Sequence, residues 1–209
     1  MARVLGASYR DAMVAMIASV GEPKRTATYD DVRSAPEHQV AEILDGELFL
    51  SPRPATPHAN ASSVIGGEIL GAFHGPPPPR SPARPGGWWI LHEPELHLGD
   101  DVVVPDLAGW RRERLTRIPN APWIDLAPDW LCETLSPSTA AIDRGRKLRI
   151  YARAGAAHVW LVDPLAHTLE VLALDEGRWL VAAVHSGSDS VRAEPFGAIE
   201  LDLSRLWID

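Results

Sequence analysis

The sequence predicts a mixed α/β fold: helix, strand, strand, strand, helix, strand in one mixed sheet, with an extra β-hairpin at the N-terminal and the C-terminal end. Three observations carry this reading. Residues 129–163 read as strand, helix, strand, which implies a parallel pair joined by a right-handed crossover. Short apolar or alternating runs bounded by Asp-Gly, Gly-Asp and Asp-Pro recur along the chain. The composition is 45% hydrophobic and 23% charged with 19 Pro, that of a globular chain rich in hairpin and loop.

Residues 1–24 carry Ala, Met and Val without a periodic continuation and are expected to form a peripheral arm, leaving 25–209 as one domain. Thr28, with Asp31 three residues on, is the pattern of a capped short helix. A hairpin is predicted over 38–52, where Asp45-Gly46 suits a type I′ turn. That turn sets Ile43 opposite Leu48 and Ala41 opposite Leu50 on one apolar face, with Glu42 and Phe49 on the other. Ala61, Ile65, Ile69 and Phe73 recur every four residues and predict a helix over 60–73, with Asn60 as N-cap and Gly66-Gly67 permitting close packing. The proline-rich stretch 75–87 is a stiff surface loop. Strands follow over 88–98, 101–110 and 129–135. Ser138 or Thr139 then caps a helix that Gly155 ends. A short apolar strand over 158–162 precedes a closing hairpin, 168–174 and 178–184, around a three-residue loop at 175–177. A last strand is expected over 199–203.

The formal net charge of −8 argues against nucleic-acid binding through the overall field but leaves room for a local basic groove. Cys132 is the single cysteine, which excludes a disulfide framework and a Cys-based zinc site and suggests a reducing cytoplasm. No window reaches the ~18 apolar residues of a membrane span, and Arg10 and Asp11 interrupt the apolar content of the first twenty residues. Without a Ser-His-Asp arrangement, a P-loop or a G-x-G-x-x-G, neither acyl transfer nor a nucleotide cofactor is indicated.

Two acids stand in apolar company. Asp106 falls in phase with Val102, Val104 and Ala108, and Glu133 with Leu131 and Leu135. A buried ionised carboxylate costs several kcal/mol unless it is paired. Each therefore pairs with an arginine, or the two together hold a hard divalent cation. Pro105 marks a bulge or an edge beside Asp106. On the following helix Asp143 and Lys147 share a face with Ile150, Tyr151 and Ala154, either as a plain salt bridge or as part of a site. Arg146, Arg149 and Arg153 form a separate stripe, either solvated or facing phosphates. Glu42 either approaches a metal from the first hairpin or is solvated. His58 is a candidate proton carrier or phosphate contact, with a structural role as the alternative. His92 and Glu93 are read as spectators.

Pro105-Asp106, the run Glu133-Thr-Leu-Ser-Pro-Ser-Thr, Asp143-Arg-Gly-Arg-Lys147, Tyr151-Ala-Arg-Ala-Gly155 and Trp160-Leu-Val-Asp-Pro164 form an ordered set. Together with Glu42-Ile-Leu-Asp-Gly-Glu-Leu48, Ser51-Pro52 and His58, it resembles the Uma-type restriction-endonuclease family of the PD-(D/E)XK nuclease superfamily, over about residues 26–207. The resemblance implies a restriction-endonuclease-like core and Mg²⁺- or Mn²⁺-dependent cleavage of DNA phosphodiester bonds. It further implies metal ligation by Asp106, Glu133 and the Thr134 carbonyl, with a catalytic lysine two residues beyond the glutamate. Leu135 stands at that place, so Lys147 is the candidate to supply the ammonium.

The expected function is thus a metal-dependent endonuclease, with Arg144, Arg146, Arg149 and Arg153 contacting phosphates, aided by the arginines at 111–114 and by Arg117. Cutting both strands from one active site suggests a homodimer, with the closing hairpin as a candidate contact. Two alternatives stand beside this reading: a nuclease-fold module that binds nucleic acid or a protein without cutting, and a metal hydrolase acting on a smaller substrate.

Overall fold

The computed structural model describes residues 25–78 and 84–208, so the arm expected over 1–24 and the middle of the proline-rich loop lie outside the described residues. A short helix α1 (Tyr29–Arg33) is capped as expected, with the Thr28 amide donating to Asp31 Oδ2 at 2.7 Å. The first hairpin is β1 (Gln39–Leu44) and β2 (Glu47–Pro52), in the register that its two-residue turn dictates: Ile43 faces Leu48 and Ala41 faces Leu50. Burial does not divide the hairpin by its apolar face: Ile43 of that face is buried. Leu48 and Leu50 are exposed, whereas Glu42 is buried.

Helix α2 spans Thr56–Phe73 and starts four residues earlier than predicted, with Pro57 in its first turn, where a missing N–H costs nothing. Asn60 is therefore inside the helix, and its amide donates to the Leu206 carbonyl at 2.9 Å. The periodic positions Ala61, Ile65, Ile69 and Phe73 are buried, and Gly66 lies so close to the His92 ring that a Cβ there would sit 2.1 Å from it.

The two long strands predicted over 88–98 and 101–110 are each broken in the middle. The first becomes β3 (Trp88–His92) and β4 (Leu96–Leu98), and the second β5 (Asp101–Val103) and β6 (Leu107–Arg111). At the breaks Glu93 takes a φ of 42°, and Pro105 has no N–H to give a ladder. The hairpin therefore bends: its tip, β4–β5, joins β1 and β2 in a sheet ordered β2-β1-β5-β4. Its base, β3 and β6, joins β7 (Trp130–Thr134), β8 (His158–Asp163), β9 (Thr168–Asp175) and β10 (Arg178–Ser186) in a six-stranded sheet ordered β10-β9-β8-β7-β6-β3. Asp106 lies at that bend, outside any strand, rather than in strand phase with Val102 and Ala108.

The expected parallel pair is β7 and β8, joined by helix α3. That helix runs through Ala140–Ile142, a π-helical stretch Asp143–Lys147, and Leu148–Ala154, and ends on Gly155 at φ 80°. The closing hairpin β9–β10 turns on two residues, Glu176 and Gly177, both at positive φ, with a register shift between Val181 and Ala183. The last predicted strand shortens to β12 (Leu201–Asp202), paired with β11 (Ser190–Val191) and followed by a 3₁₀ turn Leu203–Leu206.

Alternation along β7 divides two cores. Trp130 and Cys132 face α2 and the C-terminal segment, while Leu131 and Leu135 face α3. On the α2 side Phe196 is the centre of an aromatic cluster, its ring centroid 4.6 Å from Phe73, 4.9 Å from Trp88, 4.9 Å from Trp130 and 5.7 Å from Trp160. Indole N–H groups pin loops to the sheet: Trp89 to the Leu115 carbonyl, Trp110 to Leu126, Trp160 to Glu194. Among the described residues no helix is long and apolar enough to cross a membrane. Truncating Phe196 opens a void among four rings that cannot collapse, so Phe196→Ala is expected to cost about 3–5 kcal/mol in urea unfolding, with an altered tryptophan fluorescence of the folded state.

Candidate active site

The bend in the long hairpin leaves a cavity of about 300 Å³ between the two sheets, α2 and α3. Glu42, His58, Asp106, Glu133, Thr134, Asp143 and Lys147, all singled out in the sequence, line it. Lys147 is its electrostatic centre. The ammonium is 4% exposed as a residue and lies 3.0 Å from Glu133 Oε1, 3.1 Å from Glu42 Oε1 and 3.6 Å from Asp143 Oδ1, and it donates to the Val104 carbonyl at 3.4 Å. Burial would lower its pKa, but the carboxylates around it, Glu133 first, hold it well above the ordinary lysine value, so it stays charged. Leu135, in the place where the superfamily pattern puts a lysine, is packed in the core against the α3 side. The ammonium reaches Glu133 from the helix instead.

Each acid reaches the cavity by a different route. Glu42 is carried inward by β1, and its Oε1 also accepts the Val104 amide at 2.8 Å, which fastens β1 to the bend. Asp106 accepts the Thr134 amide on Oδ2 at 2.6 Å, and His58 Nε2, from the first turn of α2, lies 3.3 Å from the same oxygen. This places Asp106 beside the peptide that follows Glu133. Burial pushes the Glu133 carboxyl well above the usual carboxylate range, with Asp143 and Asp106 adding to the rise and Lys147 and Tyr151 opposing it. Asp143 is raised by the same burial. His58 is raised as well: burial works against its charge and Asp106 outweighs it.

Two residues entered the site without being expected there. The Tyr151 hydroxyl donates to Glu133 Oε1 in a buried hydrogen bond. A buried tyrosine needs a partner for its hydroxyl, and its spacing of four from Lys147 was the available signal. Glu93, read as a spectator, lines the cavity because the chain turns at that residue. The arginine stripe lies elsewhere. Arg144 pairs with Glu170 at 2.5 Å, Arg146 with Glu47 at 2.7 Å, Arg149 with Asp45 at 3.8 Å, and Arg153 with both Asp45 at 2.9 Å and Asp101 at 2.7 Å. None of the four lines the cavity. Arg111 and Arg112 lie over the rings of Trp88 and Trp89.

Among the described residues no three His, Cys, Asp or Glu side chains are grouped as a metal cage. The donor chemistry nonetheless fits a magnesium-type ion, which takes one or two carboxylates and keeps several waters. The protein donors to Glu133, Glu42 and Asp106 fall on one oxygen of each carboxylate, Oε1, Oε1 and Oδ2. Three carboxylates around one ammonium, with Asp106 on the same cavity wall, also leave an excess of negative charge that a cation would offset.

Opposite stability effects are expected within this cluster. Lys147→Met strips three buried carboxylates of their counter-charge and should cost about 3–5 kcal/mol in urea unfolding in EDTA. Glu133→Gln should do the reverse. Because the folded-state pKa of Glu133 is raised, its ionisation removes stability as the pH climbs from the unfolded value through the folded one. At neutral pH in EDTA the Gln variant is therefore expected to be no less stable than the parent and to gain on the order of 1 kcal/mol. The two should converge as the pH falls into the acid range. A Gln variant that melts well below the parent at neutral pH would make Glu133 a net-stabilising ionised partner instead.

The family model described as "Putative restriction endonuclease", Uma2, matches residues 27–204. Among solved structures the chain is similar to "a putative nuclease belonging to DUF820 from Anabaena variabilis ATCC 29413", with a TM-score of 0.65 and 23% identity, covering 86% of this chain and 97% of that one. No curated protein matches the chain. The likeness to the solved structure is one of fold, and the fold is the restriction-endonuclease-like α/β architecture assembled above. With a match over most of its length, the chain belongs to the Uma2 family.

Proposed function

We propose that the protein is a Mg²⁺- or Mn²⁺-dependent endonuclease that hydrolyses DNA phosphodiester bonds, with Asp106, Glu133 and Lys147 as its catalytic residues. The observation that carries this reading is the meeting of these three side chains on one cavity wall, from the bend, β7 and α3. Asp106, Glu133 and the Thr134 carbonyl would hold the metal. When bound, the ion would activate water and offset charge on the phosphate. Lys147, kept charged by its carboxylates, places a fixed positive charge beside the reacting phosphate, where the transition state gains negative charge. Tyr151 and Lys147 fix Glu133 through Oε1, and His58 and the Thr134 amide fix Asp106 through Oδ2. Both carboxylates thus meet the substrate already oriented. Glu42 and Asp143 hold the ammonium in place. The 3.0 Å approach of Lys147 to Glu133 supports an ammonium supplied from α3 where Leu135 stands in place of the lysine.

The arginines of α3 belong to this proposal as outer phosphate contacts. Exposed ion pairs are worth roughly 0–1 kcal/mol, so a phosphate can compete for Arg144, Arg146, Arg149 and Arg153. The proposal also includes a cytoplasmic setting, suited to the buried free thiol of Cys132, and a homodimer. The edge strand β10 exposes Leu180, Val181 and Val184 on the closing hairpin, an apolar strip suited to a second copy.

A plasmid-nicking assay tests the core of this reading. Nicking is expected with Mg²⁺ or Mn²⁺, none in EDTA, and a loss of at least a hundredfold in Asp106→Asn and Glu133→Gln. Nicking that survives in EDTA, or equally in both variants, would overturn the assignment. In parallel, millimolar metal is expected to raise the melting temperature of the parent, since a ligand bound at a hundred times its Kd adds about 2.7 kcal/mol. Glu133→Gln should lose most of that rise.

A further inference from the structure

We propose that Arg53 is the phosphate-binding residue of this cavity, the group that seats the scissile strand of a nucleic acid against the acidic cluster. This rests on the nuclease reading above and adds a substrate contact to it. The argument is an accounting of donors. Five carboxylates line the cavity, Glu42, Glu93, Asp106, Glu133 and Asp143, so a phosphodiester entering it meets repulsion unless a cation draws it in. The Lys147 ammonium is held by three of those carboxylates at the reacting centre and His58 Nε2 lies on Asp106, so neither is free to seat the incoming strand. Of the wall hydroxyls, Ser136 lies 2.9 Å from Ser138 and 3.0 Å from Thr139, and Thr139 hydrogen-bonds Asp143, while the Thr134 hydroxyl and His58 Nδ1 are buried without a partner but do not supply the fixed, exposed charge of a guanidinium.

Arg53 is different. It lines the same cavity, it is exposed, and among the described residues no ion pair or hydrogen bond engages its guanidinium. The four arginines of α3, by contrast, are each paired with a carboxylate and lie off the cavity wall. Arg53 also stands between Pro52 and Pro54, on the link from β2 to α2. A residue before proline is restricted to extended backbone, so the guanidinium is offered from a stiff base and loses less freedom on binding. A guanidinium matches the oxygens of a phosphate with two parallel N–H donors, which an ammonium does not.

The test is fluorescence anisotropy of a labelled DNA duplex titrated with the full chain over a salt series, with Ca²⁺ replacing Mg²⁺ to suppress cutting. Arg53→Ala is expected to bind about tenfold more weakly at low salt, and the slope of log K against log salt should fall by about one. Arg53→Lys should keep the slope. Arg178→Ala, an exposed arginine at the opposite end of the six-stranded sheet, should keep both affinity and slope. Melting temperature, and its rise with metal alone, should be the same in Arg53→Ala as in the parent. If the parent binds and nicks DNA while Arg53→Ala matches it in affinity and slope, this inference fails and the nuclease reading stands. If Arg53→Ala loses the metal-induced rise, Arg53 serves the metal site and the inference is overturned. If the parent neither binds nor nicks DNA with any metal, both readings fall together.

Discussion

One buried ammonium holds the site in shape. Lys147 brings together carboxylates from β1, β7 and its own helix, which means that it joins the four-stranded sheet, the six-stranded sheet and α3 at a single point. Desolvating any one of these charges costs several kcal/mol, so the arrangement survives only because each member offsets the others. Asp143 and Lys147 are the buried members of a π-helical stretch, the kind of helix irregularity that recurs at functional sites. A salt bridge of this kind is weak evidence for stability. Its excess of carboxylates fits the donor chemistry that a hard divalent cation takes.

The second constraint is the bend at Val104-Pro105-Asp106. Had the long hairpin stayed in one sheet, Asp106 would point from a strand face into packed core. Because the chain leaves β5 for β6 at a proline, the Val104 amide is released to Glu42 and the Asp106 carboxylate to the Thr134 amide. The Asp106 carbonyl then accepts the Glu93 amide, so both broken strands are closed by the same short segment. The cavity is the space that the two diverging sheets cannot fill. Its acidity and its existence have one origin.

Local rules made much of this legible, and distant partners hid the rest. The register of β1 and β2 follows from a two-residue turn, and the parallel β7–β8 pair follows from strand-helix-strand order, so both could be read from the chain. Which residues of the first hairpin are buried depends on β5 and α3, far along the sequence, so Ile43 and Glu42 are buried from opposite faces while Leu48 and Leu50 are exposed. Pro57 reads as a breaker in isolation but opens a helix, which moved His58 from before α2 into its first turn. Tyr151 looked like core filler, because a hydroxyl's partner is set by tertiary contact. Asp106, Glu133 and Lys147 could be found because each breaks an apolar pattern. Arg53 breaks none, since an arginine in a polar loop is what a surface ordinarily carries.

That difference bears on how an acidic protein would handle an anionic polymer. With a formal charge of −8 the chain offers no long-range attraction for nucleic acid. Its most visible basic feature, the outward face of α3, is largely neutralised by Asp45, Glu47, Asp101 and Glu170, and clasps that helix to the first hairpin and to β9. Being half-exposed, those pairs are screened by salt, as any phosphate contact would be. Adding salt would therefore loosen the clasp and weaken binding together, so a salt-sensitive activity would not by itself identify the arginines that touch a substrate. A cation without an internal partner is the one whose removal alters binding and leaves the fold alone. The position of a charge in the sequence says little about this. What decides it is whether the fold has already spent that charge.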